Sequence, residues 1–495
     1  MTLPLHLGID LGTTGLKAVL LREDGTLAGM GYRDYPIDIP EPGHAQQHPG
    51  LWWRALVEAT AQAVRSAGAG AGAIRSIGLS GQMHGLVPLD AHQELLCPAI
   101  IWCDQRSAAQ SRRVWQAVGT QKLGRWIQNP IATGFQATSL LWLREQRPDL
   151  YGRLRTALLP KDYLRYRLTG VLGTDPTDAC STLLFNCAKR RWSTEMLRAL
   201  DVDRSILPAV AHSPAELAGR LSRRAARELG LKPGTPVAFG GGDQPMQAVG
   251  NGILHPGDAS VTIGTGGQIL LPVKTPVYDP LLRTHTFCHA PRDRWYVMGA
   301  TLNAALALNW FAGQVLGERD LKQLDAGAAQ VKPGCGGLIF LPYLTGERTP
   351  HLNPAARGLF FGLTPAHGKY DMVRAVLEGV AFSLHDAMDV MTQLGLPVQR
   401  LVMSGGGAQS ALWRQIMADV FERPVHTSAM REEAAAGAAI CAMVAVGVYP
   451  ALDTACDAIV RYEAEPVQPN PRTFDCYRAG VQRFRSLYRA NAPLF

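Results

Sequence analysis

Near the start of the chain, Asp10-Leu11-Gly12-Thr13-Thr14-Gly15-Leu16-Lys17 gathers a carboxylate, two glycines, two threonines and a lysine. Glycines let the backbone approach an anion closely. Threonine hydroxyls and turn amides can donate to phosphate oxygens. Asp10, at the end of an apolar run, is suited to holding Mg²⁺ through water. Lys17 can neutralise phosphate charge. The segment is not a Walker loop, because no GxxxxGK[ST] follows. Nor does a helix open after it, as a dinucleotide fingerprint requires. Taken alone, the same residues also make a plain β-hairpin with a Gly-Thr turn. The device recurs at Ile263-Gly264-Thr265-Gly266-Gly267. A third glycine cluster, Gly405-Gly406-Gly407, lies between an apolar run and a helical one, where bare amides can face an anion. Its plainer use is a tight strand-to-helix connection.

Two further segments could face a second ligand. Gly240-Gly241-Gly242-Asp243 places a carboxylate after three glycines, near mid-chain. Phosphoryl transfer needs a base held beside the acceptor hydroxyl, and positioning dominates because the transition state is loose. By itself Asp243 reads as an Asx turn or helix cap. Gln82-Met83-His84, between glycines, can line a polar pocket, although a lone histidine is more often structural. Glu347-Arg348-Thr349-Pro350-His351 reads first as an ion network at a domain interface, then as a pocket wall.

The elements that must position these groups follow from periodicity. Residues 5–11 and 16–21 are apolar runs about a Gly12–Gly15 turn, and 259–273 repeat that pattern. Residues 50–67 carry Trp52, Trp53, Leu56, Val57 and Val64 at helical spacing. Strands are expected at 74–79, 237–239 and 401–403, and helices over most of 135–169 and over 411–421. The repeated hairpin near the start of each half suggests two related α/β domains across a cleft.

Composition agrees. The 495 residues are 47% hydrophobic and 18% charged, which describes a folded chain of two domains, each about 200–250 residues. The +8 net charge is scattered, without the basic stripe and stacking aromatics of a nucleic-acid protein. Nine cysteines without a Cys-x-x-Cys pair point to reduced thiols and a cytoplasmic location. The N-terminus lacks a basic n-region and a long apolar h-region, so no signal peptide is expected. Residues 434–452 carry no charge. Their Ala and Gly content reads as a small-residue helix in a soluble core, with Glu432 and Glu433 at its first turn.

In order along nearly the whole chain, IDLGTTGLKAV, GQMHG, IIWCDQR (100–106), LLPKDYLR (158–165), GGGD, TGERTPH (345–351), GLFFGLT (358–364), AVLEGVAFSL (375–384) and SGGGAQSALWRQIMAD (404–419) resemble the FGGY carbohydrate kinases. The resemblance implies an α/β fold of two actin-like ATPase (ribonuclease-H-like) domains flanking a central cleft. Residues 1–242 would form the sugar side and 243–495 the nucleotide side. It implies ATP-dependent phosphorylation of a sugar with Mg²⁺, Asp243 being the general base. Met83, His84 and Gln244 would contact the sugar, and Asp10 would position the metal. Thr13, Thr14, Lys17, Gly264 and Thr265 would lie along the phosphates, and Gly406 and Gly407 near the adenosine. GQMHG implies a ketopentose, with D-xylulose the expected acceptor; another ketose or polyol, or a non-catalytic actin-like ATP-binding protein, is the alternative. ATP, ADP and the sugar are the expected partners, without nucleic acid or membrane, and the family implies a homodimer. The chain departs from the family pattern at Gln244, where Asn is common after the base, at Cys103 and at Ser139.

Overall fold

The computed structural model describes residues 4–430 and 432–495. The apolar runs pair as expected: β1 (Leu5–Leu11) and β2 (Gly15–Arg22) form the first hairpin, and β3 (Leu27–Asp34) continues it. With β4 (Ile74–Gly81), β5 (Leu217–Arg220), β6 (Pro236–Ala238) and β7 (Gly241–Gly242) they make one sheet. Its order is β5-β6-β4-β1-β2-β3, with β7 extending alongside β4. Strands β1 to β3 are antiparallel neighbours, whereas β4 runs parallel to β1, and β6 and β7 parallel to β4.

The second half repeats this plan. Strands β8 (Gly257–Ile263), β9 (Gly267–Val273), β10 (His285–Cys288), β11 (Trp295–Thr301), β12 (Val398–Ser404) and β13 (Val425–Thr427) are ordered β10-β11-β9-β8-β12-β13. Again an antiparallel meander, β8-β9-β11, is followed by two parallel strands, β12 and β13. The two sheets therefore share one topology, with β5 and β10 as additions at their edges. This is the expected pair of ribonuclease-H-like units.

Helices cover both sheets. They are α1 (Pro49–Ser66), α2 (Pro160–Thr169), α3 (Pro176–Ala179), α4 (Asp243–Gly250), α5 (Lys369–Gln393), α6 (Ala411–Phe421) and α7 (Glu433–Ala445). Pro at the start of α1, α2 and α3 suits a first turn whose N–H groups lack intrahelical partners. The segment between β4 and β5 is a large insertion. Its Leu140, Phe185 and Met196 share a buried cluster with Phe287, Tyr296 and Val402 of the second sheet. That sheet's other core includes Val376, Val380 and Leu384 of α5.

Helix α7 belongs to the second half of the sequence but lies over the first sheet. Val19 and Leu21 of β2 share a buried cluster with Met246 and Val249 of α4 and Ala435, Ala439 and Ile440 of α7. Only small residues allow this approach. A Cβ added at Gly8 would lie 1.9 Å from the Ala435 carbonyl oxygen, and one at Gly78 1.8 Å from that of Ala438. The charge-free 434–452 stretch is thus a buried small-residue helix, but it ends at Ala445. Gly447, at φ +80°, follows that end. Among the described residues no helix is long and apolar enough to cross a membrane. The expected helical run over 135–169 is divided into helices Gln136–Gln146, Pro148–Arg153 and α2, with a short strand, Thr156–Leu158, between the last two. Pro148 and Pro160 mark the restarts.

Candidate active site

The carboxyl ends of β1, β4 and β7 lie side by side, with Asp10 opposite Ser80 and Ser80 opposite Gly241. Crevices beyond the carboxyl ends of parallel strands are where α/β sheets bind ligands. The Ser80 hydroxyl donates to Asp10 Oδ1 at 2.8 Å. Burial, outweighing that bond and the field of Lys17, raises the Asp10 pKa. Directly after β7, Asp243 opens α4. Burial first and the neighbouring Asp10 second push its pKa up to about 7, although Oδ1 accepts from the Gln244 amide at 2.8 Å. A carboxylate poised near neutrality suits a general base.

The glycines before Asp243 are there for space. A Cβ on Gly241 would sit 2.6 Å from Thr177 Oγ1, and one on Gly242 2.6 Å from Met83 Cγ. Met83 is thereby packed under the Asp243 loop. His84 follows in a left-handed conformation, φ +76°, costly for a residue with a Cβ and typical of functional sites. Two contacts to Ser181 hold it. The His84 amide donates to Ser181 Oγ at 3.2 Å, and Nδ1 lies 3.1 Å from the Ser181 carbonyl oxygen. A carbonyl only accepts, so Nδ1 carries the proton and Nε2 remains an acceptor for a hydroxyl. The ring stacks on Phe135 at 3.8 Å between centroids, and Phe135 stacks in turn on His285 of β10. Burial lowers the His84 pKa to about 3, with Arg348 adding to the effect. The imidazole is therefore neutral near pH 7.

At the first hairpin, the Gly12 amide bonds to the Gly15 carbonyl at 2.9 Å, closing the turn. Trp102 Nε1 donates to the Thr13 hydroxyl at 2.8 Å, and Gln47 Nε2 to the Thr13 carbonyl at 2.8 Å. Thr14 is exposed at the tip. The Lys17 ammonium pairs with Glu432 at 2.6 Å, just before α7. Burial would lower its pKa, but Glu432 and then Asp10 hold it above the ordinary value. Asp10, Gly12, Thr13, Thr14, Lys17 and Glu432 line one cavity of about 560 Å³.

The second hairpin closes one residue tighter, Gly264 N to Gly266 O at 3.0 Å, with Thr265 exposed. Gly405, at φ +78°, lies against it: a Cβ there would meet the Ile263 carbonyl oxygen at 2.6 Å. Gly406 faces open space, whereas Gly407 is buried against Ile263 and Trp413. Helix α4 ties these groups to Asp243. Gln247, one turn after Asp243, accepts from the Thr262 hydroxyl at 3.0 Å, and Thr262 contacts the Ser404 hydroxyl at 2.9 Å. Residues four apart share a helix face, so Asp243 and the second sheet's carboxyl end flank one side of α4.

Several neighbours have no distinct signal in the sequence. Trp102 belongs to the IIWCDQR segment, whose pattern assigns it no role, and Glu432 by its position marks only a helix start. Ser80, Phe135, Thr177, Ser181 and His285 carry no local signal. Glu347 is buried, and its Oε1 accepts from the Leu302 and Arg348 amides at 2.9 and 2.6 Å. It braces the loop after β11, which makes it an internal hydrogen-bond hub. Gln244 is half-buried beside Asp243.

Two sheets of one topology, each with a Gly-Thr hairpin and joined by a helix that begins with a near-neutral carboxylate, define a protein of the actin-like ATPase class of folds. Residues 5–250 match the N-terminal domain of the FGGY family of carbohydrate kinases and residues 259–446 match its C-terminal domain, and the chain belongs to that family. It is 36% identical over 493 residues to xylulose kinase from Escherichia coli (strain K12), covering 99% of this chain and 100% of that one. Gluconokinase from Bacillus subtilis (strain 168) is 30% identical over 481 residues, covering 94% and 93%. A xyloylose kinase from Brucella ovis superposes with a TM-score of 0.92 at 32% identity, covering 99% of this chain and 100% of that one.

Proposed function

We propose that this kinase transfers the γ-phosphoryl group of ATP to the terminal hydroxyl of D-xylulose, giving D-xylulose 5-phosphate. The observation that carries the reading is Asp243, whose carboxyl sits near neutrality at the start of α4. Asp243 accepts the hydroxyl proton as the phosphorus–oxygen bond forms. Met83 and the neutral His84 Nε2 orient the ketose, and Gln244 reaches toward it. Likeness to xylulose kinases favours this acceptor, and likeness to a gluconokinase makes a sugar acid the competing one.

On the nucleotide side, the amides and hydroxyls of Thr13, Thr14 and Thr265 take the phosphates, Gly264 lets the backbone approach them, and Gly406, with open space before it, faces the adenosine. Gly407 supports that turn from behind. Lys17 turns from Glu432 toward phosphate when the nucleotide enters.

Magnesium suits this site, because Asp10 and Asp243 are close enough for one carboxylate to raise the other's pKa, and a hard cation among oxygen ligands relieves that repulsion. Asp10 would hold it, and the ion would supply neutralisation of the phosphate charge. We place the pivot between the halves at Gly242–Asp243, where β7 gives way to α4, with 1–242 carrying the sugar and 243–495 the nucleotide. Nine free thiols support a cytoplasmic location.

The test is ADP release by purified protein with Mg-ATP against D-xylulose, L-xylulose, D-ribulose, L-ribulose, D-fructose, glycerol and gluconate. Selective stimulation by D-xylulose is expected. Selective stimulation by gluconate would move the substrate to the sugar-acid class, with Gln244 the first residue to examine.

A further inference from the structure

We propose that the Asp175–Ser181 segment is a positioning platform, anchored by Lys161, that fixes the loop of the base and the ketose-side histidine relative to one another. The proposal rests on the roles given above to Asp243 and His84. Its anchor is a buried ion cluster. Lys161 Nζ lies 2.7 Å from Asp162, 2.9 Å from Asp175 and 3.6 Å from Asp178, and all four side chains are fully buried. These carboxylate oxygens converge closely enough to hold a metal ion, but the lysine ammonium is the cation at their centre. Burial would lower the Lys161 pKa, and the acidic partners, Asp162 and Asp175 first, outweigh it; Asp178, whose own pKa burial pushes up, is the most distant and weakest partner. Removing one partner of such a cluster strands the others uncompensated, so each member holds the rest in place.

From this anchor two hydroxyl relays reach the two sides of the sugar site. In the first, Asp175 Oδ1 accepts from both the Thr177 amide, at 2.8 Å, and the Thr177 hydroxyl, at 2.5 Å. That hydroxyl proton is thereby committed, and the Thr177 oxygen turns its lone pair to the Gly242 amide at 3.1 Å. Gly242 immediately precedes Asp243. In the second relay, the Ser181 hydroxyl donates to the Asp178 carbonyl at 2.8 Å and accepts from the His84 amide. It thus holds the left-handed backbone that aims the imidazole. One short stretch of chain therefore sets the distance between base and ketose contact. Neither Thr177 nor Ser181 need touch the substrate; both are positioning residues. Displacing a reacting group by about 1 Å can cost about a hundredfold in rate.

The test is sugar-dependent ADP release with D-xylulose as acceptor, measuring kcat and both KM values. Thr177→Val keeps shape and removes the hydroxyl. Its kcat should fall at least about tenfold with KM for MgATP unchanged, and Thr177→Ser should restore most of the rate. Ser181→Ala should raise KM for the ketose about tenfold and leave KM for MgATP alone. Wild-type kcat in Thr177→Val, or a Thr177→Ser variant as slow as the valine one, overturns the proposal. If Thr177→Val does not fold, Ser181→Ala decides: a raised ketose KM supports the platform and an unchanged one overturns it. Asp243→Asn is measured in parallel. Loss of turnover there beside an unaffected Thr177→Val defeats the platform alone. Retained turnover there defeats the assignment of the base, and the platform with it.

Discussion

As the proposed general base, Asp243 would combine proton transfer with a cost to the fold. With its pKa near 7, kcat/KM for the sugar should rise with pH through an apparent pKa close to that value and then level off. Asp243→Asn should abolish sugar-dependent ADP release while MgATP still binds, as titration calorimetry would show. The same shift has a sign for stability. The folded state holds the Asp243 proton more tightly than the unfolded chain does. Ionisation therefore penalises the fold progressively between the ordinary carboxyl pKa of 3.8 and about 7, and fully above that. Asp243→Asn should melt higher than the parent at about pH 8, by the equivalent of roughly 2 kcal/mol after allowing for solvent in the recess, and the gap should shrink toward about pH 4. If the neutral His84 accepts from the ketose as proposed, His84→Ala should raise KM for the ketose far more than for MgATP; equal changes in both would remove it from the pocket.

Helices α4 and α7 cross where neither can carry a larger residue. A Cβ on Gly437 would lie 1.9 Å from the Met246 carbonyl oxygen, and one on Gly250 1.9 Å from that of Glu433. These are backbone atoms, which cannot rotate away. Gly437→Ala should wedge the helices apart and cost about 1–3 kcal/mol, read as a lowered denaturation midpoint at unchanged m-value. Because α4 begins at Asp243, the same substitution should lower kcat. A variant that is destabilised yet fully active would separate the crossing from the chemistry. The charge-free composition of 434–452 announced a buried helix, but Glu433 acquires a pKa of about 7 only through burial and the neighbouring Glu432, with Asp10 adding to it. That position beside the Gly12–Gly15 turn is a product of packing.

Across the whole molecule, the two halves in sequence are not two independent bodies in space. The first sheet keeps α1 on one face and takes α7 on the other. The insertion after β4 shares its core with the second sheet, through Phe287, Tyr296 and Val402. A fragment ending near residue 255 would expose Val19, Leu21, Met246 and Val249, a contiguous apolar face of the kind that drives association. It should aggregate or bind a hydrophobic dye when expressed alone, and become soluble when co-expressed with the remainder. A soluble, cooperatively melting fragment would contradict this account.

What the sequence determined by itself is local. Apolar runs about Gly-Thr turns specify hairpins, and both occur where expected, because strand pairing across a short turn needs only neighbouring residues. Helices α1 and α6 follow from apolar spacing for the same reason. The duplicated plan and the family were legible too, since ordered motifs survive in the chain as text. Tertiary structure alone decided that Asp10 and Asp243, far apart in sequence, lie close enough for Asp10 to raise the Asp243 pKa. It decided that Lys17 meets Glu432, and that Thr177 and Ser181 hold the Gly242 and His84 amides. Such contacts join residues by hydrogen bonds that need only one donor and one acceptor, a demand too small to leave a pattern in composition or spacing.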